Sequence, residues 1–581
     1  MPREASLISF GTSNDRIDYL RAFMSLRGLA LQVSVENKKL GRFYTPQTVA
    51  QALADWAVFS SNCTVLDPSF GGCAFLKASL NSLARMRSFQ PQRLIFGVDL
   101  DPGASGYLSD LLRIGARSSQ FRTGDFLKIH PNDMPMAPYD VVLGNPPYVR
   151  HHKLEDKFKI RQILGIDSAS NLSAMASYWV YFLIHSLGFI APGGRLAMVL
   201  PGSFVHSDYS EGVRRTVFEA FERVALVLIR ERLFRDAQES TVLLLAKGRG
   251  ERNREVRIGV ASSKEDVREV CNDIKRNTRI VEANSGRFDL LKALISPSAL
   301  QTYEDLERDN RVIRLGQVAD IRIGTVTGCN RFFTISDTTR RKIGLASRYT
   351  IPIVTRASLL DGLAYRIRDY EGHKKSGARS ILINLDIKSP INPLLQNYLK
   401  CAKKQRIHAR YKCKKRTPWY SVSSVNIPDA FLHYMSAKAP RIVLNGADAT
   451  CTNTIHALFW KNGKSIKEAK SLSLASANTL FQLSAELEGR SYGGGVLKVE
   501  PTEAKHLLLV FPSHCSSDMT SHFSQVDTLL RCGNAEGALE FINNITLEKR
   551  LGLLPSQIAA LHDACEFLRR IRLRPLSTLS D

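Results

Sequence analysis

The stretch "VLDPSFGGCAFL", Val65 to Leu76, holds an apolar run that ends in Asp67, then a proline, then Gly71 and Gly72, then a helical pattern. A glycine turn between a strand and a helix lets a ligand approach the backbone at the helix N-terminus. Any tight strand-to-helix turn favours glycine, so the turn alone fixes only an α/β unit. The next apolar runs decide more. "FGVDLDP" ends a second apolar run at Asp99, where a carboxylate can accept ribose hydroxyls. "FRTGDFLKI" ends a third at Asp125, followed by Phe126. A carboxylate there can accept from an exocyclic amine, and the aromatic can pack on a purine. One aspartate after a strand is a common helix cap; three at successive strand ends outline a nucleoside site.

The fourth run, "YDVVLGN", leads into Asn145-Pro146-Pro147-Tyr148. Such a string arises by chance about once per 10⁵ positions, so its presence in this chain is informative. Two prolines fix φ and remove two backbone donors. The amine of a base or an amide has a delocalised lone pair and is a poor nucleophile. The Asn145 side-chain oxygen and the Pro146 carbonyl are two acceptors held stiffly for its two hydrogens, which frees the lone pair without a strong base. Tyr148 offers a face for a planar ring. Further runs, "RLAMVLP", "VALVLI" and "TVLLLAK", alternate with helical patterns up to about residue 247, the signature of a parallel sheet with crossover helices.

The 581 residues exceed one ordinary core. With 44% hydrophobic and 23% charged residues the chain reads as globular. Its 80 Lys and Arg against 55 acids give a net charge of +25, which points to a polyanionic partner. The ten cysteines form no C-x-x-C pair. Reduced thiols in a cytosol are expected, with no structural zinc and no metal. No long apolar run and no signal-peptide core are present, so neither membrane span nor export is expected. Four segments are expected: 1–40, an N-terminal segment; 41–247, the catalytic domain; 248–310, a charged linker; and 311–581, a mixed α+β domain. The last ends in an amphipathic helix with Ile558, Leu561, Cys565, Leu568 and Ile571 at helical spacing. Within it "CAKKQRIHARYKCKKR", 401–416, holds eight Lys or Arg and no acid, followed by Trp419 and Tyr420. Lys412, Lys414, Lys415 and Arg416 suit phosphate contact, and the aromatics suit stacking on bases. Arg150, two residues after Tyr148, is expected to contact the same polyanionic partner.

Taken together, the motifs resemble the γ-class adenine-N6 DNA methyltransferases of type II restriction–modification systems. "GRFYTP" resembles the family's Phe-x-Thr-Pro motif, "DPSFGGCAF" its Asp-Pro-x-x-Gly-x-Gly-x-Phe loop, and "LFRDAQESTVLLL" a later motif whose aromatic, here Phe234, packs on the flipped base. Cys73 stands where the family carries glycine. The resemblance implies a Rossmann-like fold and S-adenosyl-L-methionine as cofactor, bound by Thr45, Pro46, Asp67, Gly71, Asp99, Asp125 and Phe126. It implies Asn145, Pro146 and Tyr148 as catalytic residues and a target adenine flipped from double-stranded DNA between Tyr148 and Phe234. It also implies a cytoplasmic, prokaryotic protein that associates with the nucleoid through DNA, with a separate cognate restriction endonuclease as a partner. "LGQVADIRIGTVTGCNRFF" and "RSYGGGVLKVEPTEAK" resemble segments of the family's target-recognition region. The residues alone leave other amines open as acceptors, namely cytosine N4, an RNA base or a protein glutamine. They also leave open a non-catalytic DNA-binding protein on this fold.

Overall fold

The first two runs become β1 (Val65–Asp67) and β2 (Ile95–Asp99), each ending in its acid; the third becomes β3 (Phe121–Thr123), which stops two residues before Asp125; and the run before the two prolines becomes β4 (Tyr139–Gly144). The computed structural model describes residues 45–148, 177–206, 210–231, 233, 241–251, 255–282, 287–422, 425–436, 439–492, 496–511 and 521–573. They belong to two units, Met1–Leu294 and Ile295–Asp581.

The first unit is built on one nine-stranded sheet of order β3-β2-β1-β4-β5-β7-β6-β8-β9. The added strands are β5 (Ile190–Pro201), β6 (Phe221–Ile229), β7 (Thr241–Arg249), β8 (Glu255–Ala261) and β9 (Thr278–Val281). Strands β1 to β5 run parallel, and β7 is inserted antiparallel between β5 and β6. The order reverses between β1 and β4, because β2 and β3 lie on one side of β1 and β4 and β5 on the other. Ligands of open α/β sheets bind beyond the carboxyl ends of the strands at such a switch point. Both faces of the sheet are covered, as parallel strands require. Val141 and Leu143 pack on one face with α1 (Gln47–Ala57) and α2 (Ala74–Arg85), and Tyr139 and Val142 are buried too. Each such side chain contributes roughly 1.5–3 kcal/mol. Gln51 ties α1 to α2, its amide donating to the Ala78 carbonyl at 3.2 Å and to Ser82 Oγ at 3.0 Å.

One expectation is corrected here. Residues 248–310 are not a linker. β8 pairs with β6 along seven residues and β9 closes the edge, and the seam between the units falls after Leu294. The charge of this segment misled because it is satisfied locally. The Arg257 guanidinium donates to Thr278 Oγ1 at 3.0 Å and to the Lys275 and Thr278 carbonyls, which stitches β8 to β9.

The second unit is mixed α+β. A five-stranded sheet runs in the order Ala319–Ile323, Ile455–Trp460, Ala430–His433, Ile442–Gly446, Ala364–Arg366, with smaller sheets of four, three and two strands and a set of helices. The amphipathic C-terminal helix spans Pro555–Arg572, with Leu561, Cys565 and Leu568 buried. At its end Arg572 makes a buried two-pronged pair with Glu486, at 2.8 and 2.7 Å. Among the described residues no helix is long and apolar enough to cross a membrane.

Candidate active site

The loops after β1, β2 and β4 meet at the switch point. Asp67 ends β1 with 1% of its surface exposed. Its Oδ1 accepts from the Ser69 amide at 3.0 Å, and its Oδ2 is buried without a partner among the described residues. Burial pushes the Asp67 carboxyl up to about 8 against the pull of the Ser69 amide, and the charge of Asp99 adds to the push. A buried carboxylate in this state favours a cation beside it. Gly144, at the end of β4, is what allows the close approach of the two strand ends. A Cβ there would meet Asp67 Oδ1 at 2.9 Å and Pro68 Cδ at 3.4 Å.

Asp99 organises the glycine turn. One of its oxygens accepts from the Gly71 amide at 2.8 Å, the other from the Asp101 amide at 2.8 Å. Cys73, the residue before α2, has φ 63° and ψ 20°. That is the left-handed region where a β-carbon costs roughly 1–2 kcal/mol, which accounts for glycine in the family's pattern. Its thiol is buried, and burial pushes it up to about 12, with the neighbouring aspartates adding.

Asp125 accepts from the Leu127 amide at 3.2 Å and from the Tyr178 hydroxyl at 3.1 Å. Tyr178 opens α3 (Tyr178–Ser186). No motif in the sequence marks it, since it lies 53 residues from its partner. Phe126 is a correction. It does not offer a face to a purine, being 3% exposed and packed in an aromatic cluster with Phe182, His185 and Phe189 at centroid distances of 4.8 to 4.9 Å. The apolar face of α3 outcompetes the crevice for its ring.

The three residues expected to be catalytic, Asn145, Pro146 and Tyr148, all lie within the described residues, directly after β4. Ser69, from the loop after β1, donates its hydroxyl to the Asn145 main-chain carbonyl at 3.0 Å. The Tyr148 hydroxyl donates to the Val199 carbonyl of β5 at 3.1 Å, so the half-buried ring is anchored at both ends. Thr45 is buried with its Oγ1 unpartnered among the described residues, and the Pro46 carbonyl accepts the first amides of α1, from Val49 and Ala50. Arg150 and Phe234 lie outside the described residues. No group of three or more His, Cys, Asp or Glu side chains arranged for a metal occurs among the described residues.

In the second unit Lys412, Lys414 and Lys415 are exposed. Arg416 instead braces the fold, donating to the Thr327 and Val326 carbonyls at 2.8 and 2.7 Å. The expectation that Trp419 and Tyr420 stack on bases is corrected. Trp419 packs inward against Phe332, Phe333 and His408, and Tyr420 packs on the Trp419 edge.

The chain is similar in sequence to known proteins. Residues 29–285 match the model of the N-6 DNA Methylase family. Residues 289–547 match the model of the C-terminal domain of type II methyltransferase M.Eco57I. The type II methyltransferase M.AccI of Acinetobacter calcoaceticus is 22% identical over 487 residues, covering 82% of this chain and 86% of that protein. M.XamI of Xanthomonas campestris pv. amaranthicola is 24% identical over 480 residues, covering 81% and 85%. Among solved structures the type IIL restriction-modification enzyme MmeI in complex with DNA aligns with a TM-score of 0.50 at 12% identity, over 95% of this chain and 74% of that one. At that identity the likeness is one of fold.

Proposed function

We propose that the chain is an N6-adenine DNA methyltransferase of a type II restriction–modification system, a reading that the two matched family models and the type II relatives support, and that the crevice at the ends of β1, β2 and β4 is its methyl-transfer site. The observation that carries this reading is the hydrogen bond from Ser69 to the Asn145 carbonyl, which joins the glycine loop to the base-orienting loop.

The residues fit S-adenosyl-L-methionine. A buried carboxylate with one oxygen unpartnered among the described residues suits a ligand that carries positive charge. Asp67 would hold the charged end, Asp99 the ribose hydroxyls and Asp125 the adenine amine, with Gly71 giving close backbone approach and Thr45 and Pro46 flanking. When bound, the cofactor supplies an electrophilic methyl group. The chain's own residues do the rest. Asn145 Oδ1 and the Pro146 carbonyl accept the two hydrogens of the target amine and turn its lone pair outward. The Pro-Pro unit keeps those acceptors from relaxing away. Tyr148 holds the plane of the extruded adenine, and by the motif Phe234 meets its other face.

The substrate is double-stranded DNA read by the second unit, and a separate restriction endonuclease acts on the same site. Sequencing DNA from cells that express the protein, with a readout of modified bases, tests this. N6-methyladenine at one short sequence is expected. Its absence while the protein binds S-adenosyl-L-methionine would overturn the reading.

A further inference from the structure

On the second unit a recess of about 440 Å³ opens between the strand Ala319–Ile323, its continuation through Gly324 to Val326, and the short helix Tyr411–Lys414. Arg322, Lys412, Lys415 and Arg416 line it beside Asn426 and Phe459, and no Asp or Glu does. Asp320 is 3.9 Å from Arg322 and 3.7 Å from Lys461, outside the lining.

The recess is built rather than incidental. Its floor is a close backbone crossing, in which the Gly324 amide donates to the Ile455 carbonyl at 3.1 Å and the Thr325 amide to the Cys451 carbonyl at 2.7 Å. A Cβ on Gly324 would press on the Thr452 carbonyl and meet the Cys451 sulfur at 2.7 Å. Thr450 Oγ1 donates to the Asn426 carbonyl at 3.0 Å and accepts from Thr325 Oγ1 at 3.0 Å, which fixes the rim. Arg416 spends two nitrogens on the 326–327 carbonyls and is therefore a positioning residue for the wall. The Arg322 guanidinium is held over the Phe459 ring at 4.9 Å and the Lys415 ammonium over the Tyr411 ring at 4.5 Å. These are cations seated on aromatic faces; Arg322 has Asp320 beside it at 3.9 Å, and no acid lines the recess itself.

Four cations around one cavity, with no carboxylate among the lining, select an anion. The volume is too large for a lone phosphate and falls in the range of pockets that enclose a small organic molecule, about 300–1,000 Å³. We propose that this recess is a second nucleotide site, distinct from the methyl-transfer crevice, which takes one phosphate-bearing nucleotide of the substrate DNA. The proposal rests on the chain being a DNA methyltransferase. Arg322, Lys412 and Lys415 face the phosphate, and Asn426 supplies a neutral donor and acceptor at the rim. The basic run 401–416 is thereby divided. Lys414, equally exposed, is not part of the lining and takes no share.

The test uses the full chain and its Arg322→Ala, Lys412→Ala, Lys415→Ala and Lys414→Ala variants. Duplex binding is titrated against salt, with thermal melting and cofactor binding as controls. Each of the first three variants is expected to bind DNA several-fold more weakly. The log–log salt slope should become shallower by about 0.9 for each phosphate no longer neutralised. Melting and cofactor affinity should stay as in the wild type, and Arg322→Lys should restore the slope. Lys414→Ala should leave the slope unchanged. Equal weakening in Lys414→Ala overturns the proposal in favour of a diffuse basic face. Unchanged slopes in all four, in a wild-type chain that still methylates DNA, overturn the recess alone. A wild-type chain that methylates no DNA overturns the function beneath it. Free deoxyadenosine 5′-monophosphate is the last arm. It is expected not to displace DNA, and saturable binding abolished by Arg322→Ala with an unchanged DNA slope would assign the recess to a free nucleotide instead.

Discussion

The Ser69 hydroxyl reaches across the crevice to the main-chain carbonyl of Asn145, a residue 76 positions away in sequence, and donates to it at 3.0 Å. The glycine loop and the base-orienting loop thus share one rigid link. Removing it in Ser69→Ala costs a hydrogen bond of about 0.5–1.5 kcal/mol. If the link positions Asn145, methyl transfer slows by roughly two- to tenfold, while cofactor affinity changes little. Single-turnover transfer of labelled methyl to DNA reads the first, and isothermal titration reads the second.

Asn145 itself has a larger role. In Asn145→Ala the target amine loses one of its two acceptors, and transfer is expected to drop by about 10²-fold or more. Cofactor affinity should hold, because the deleted group faces the base. Near-normal labelled methyl incorporation in the variant would rule out the assigned mechanism.

Asp67 gives the site a pH dependence whose sign follows from its environment. Its carboxyl is pushed up to about 8 in the folded protein, against about 3.9 for a free aspartate. The fold therefore favours the neutral form. The stability associated with Asp67 is complete below about pH 4 and is lost as pH rises through about 8. Asp67→Asn should gain melting temperature relative to wild type across that window. A cationic ligand needs the carboxylate, so wild-type affinity for S-adenosyl-L-methionine should rise with pH by up to about tenfold per unit until about 8. Titrations at several pH values on both proteins check this, and the variant's profile removes the ligand's own titration.

Capture of the flipped base should depend on aromatic faces. Tyr148→Ala and Phe234→Ala are each expected to weaken it by about 1–3 kcal/mol, seen as a smaller unstacking signal from 2-aminopurine at the target position. Tyr148→Phe keeps the ring and loses only the bond to Val199, so it should lie between wild type and Ala. An intact signal and rate in Phe234→Ala would mean that "LFRDA" is not the base-facing motif.

The seam after Leu294 is tested by truncation. A fragment ending at residue 294 keeps β8 and β9 on the sheet. It should stay soluble and bind the cofactor, while losing selective binding to one DNA sequence. A fragment ending at residue 247 leaves the β6 edge bare along seven residues and should aggregate. Equal solubility of the two fragments would return 248–294 to the role of a linker.

Much of the first unit was legible because its strands are apolar runs closed by acids or prolines, and those same closing residues line the crevice. β1, β2 and β4 could be placed from the residues that carry the chemistry. β8 was not legible, although Val256 and Ile258 alternate with Arg257 as a strand with one more polar face requires. The charged run before it dominates the local pattern, and only the structure reveals that Arg257 is satisfied across β9. Phe126 and Trp419 failed for a different reason. Each follows a functional residue type in sequence, but spacing says nothing of which way a ring turns. In both cases a partner far along the chain, Phe182 for one and Phe332 for the other, claimed it. Arg322 escaped notice because it stands alone, about ninety residues from the lysines it joins in one recess.

The left-handed cysteine has a chemical consequence. A methyl donor alkylates whatever good nucleophile is kept beside it, and a thiolate is among the best. Cys73 sits in the very loop assigned to the donor, yet burial pushes its thiol up to about 12, so at neutral pH only roughly one molecule in 10⁴–10⁵ carries the reactive anion. Burial is the main cause, and the charge of the neighbouring aspartates, where they are ionised, adds to it. Burying the sulfur in the fold thus keeps it in the protonated, poorly nucleophilic form beside the donor loop.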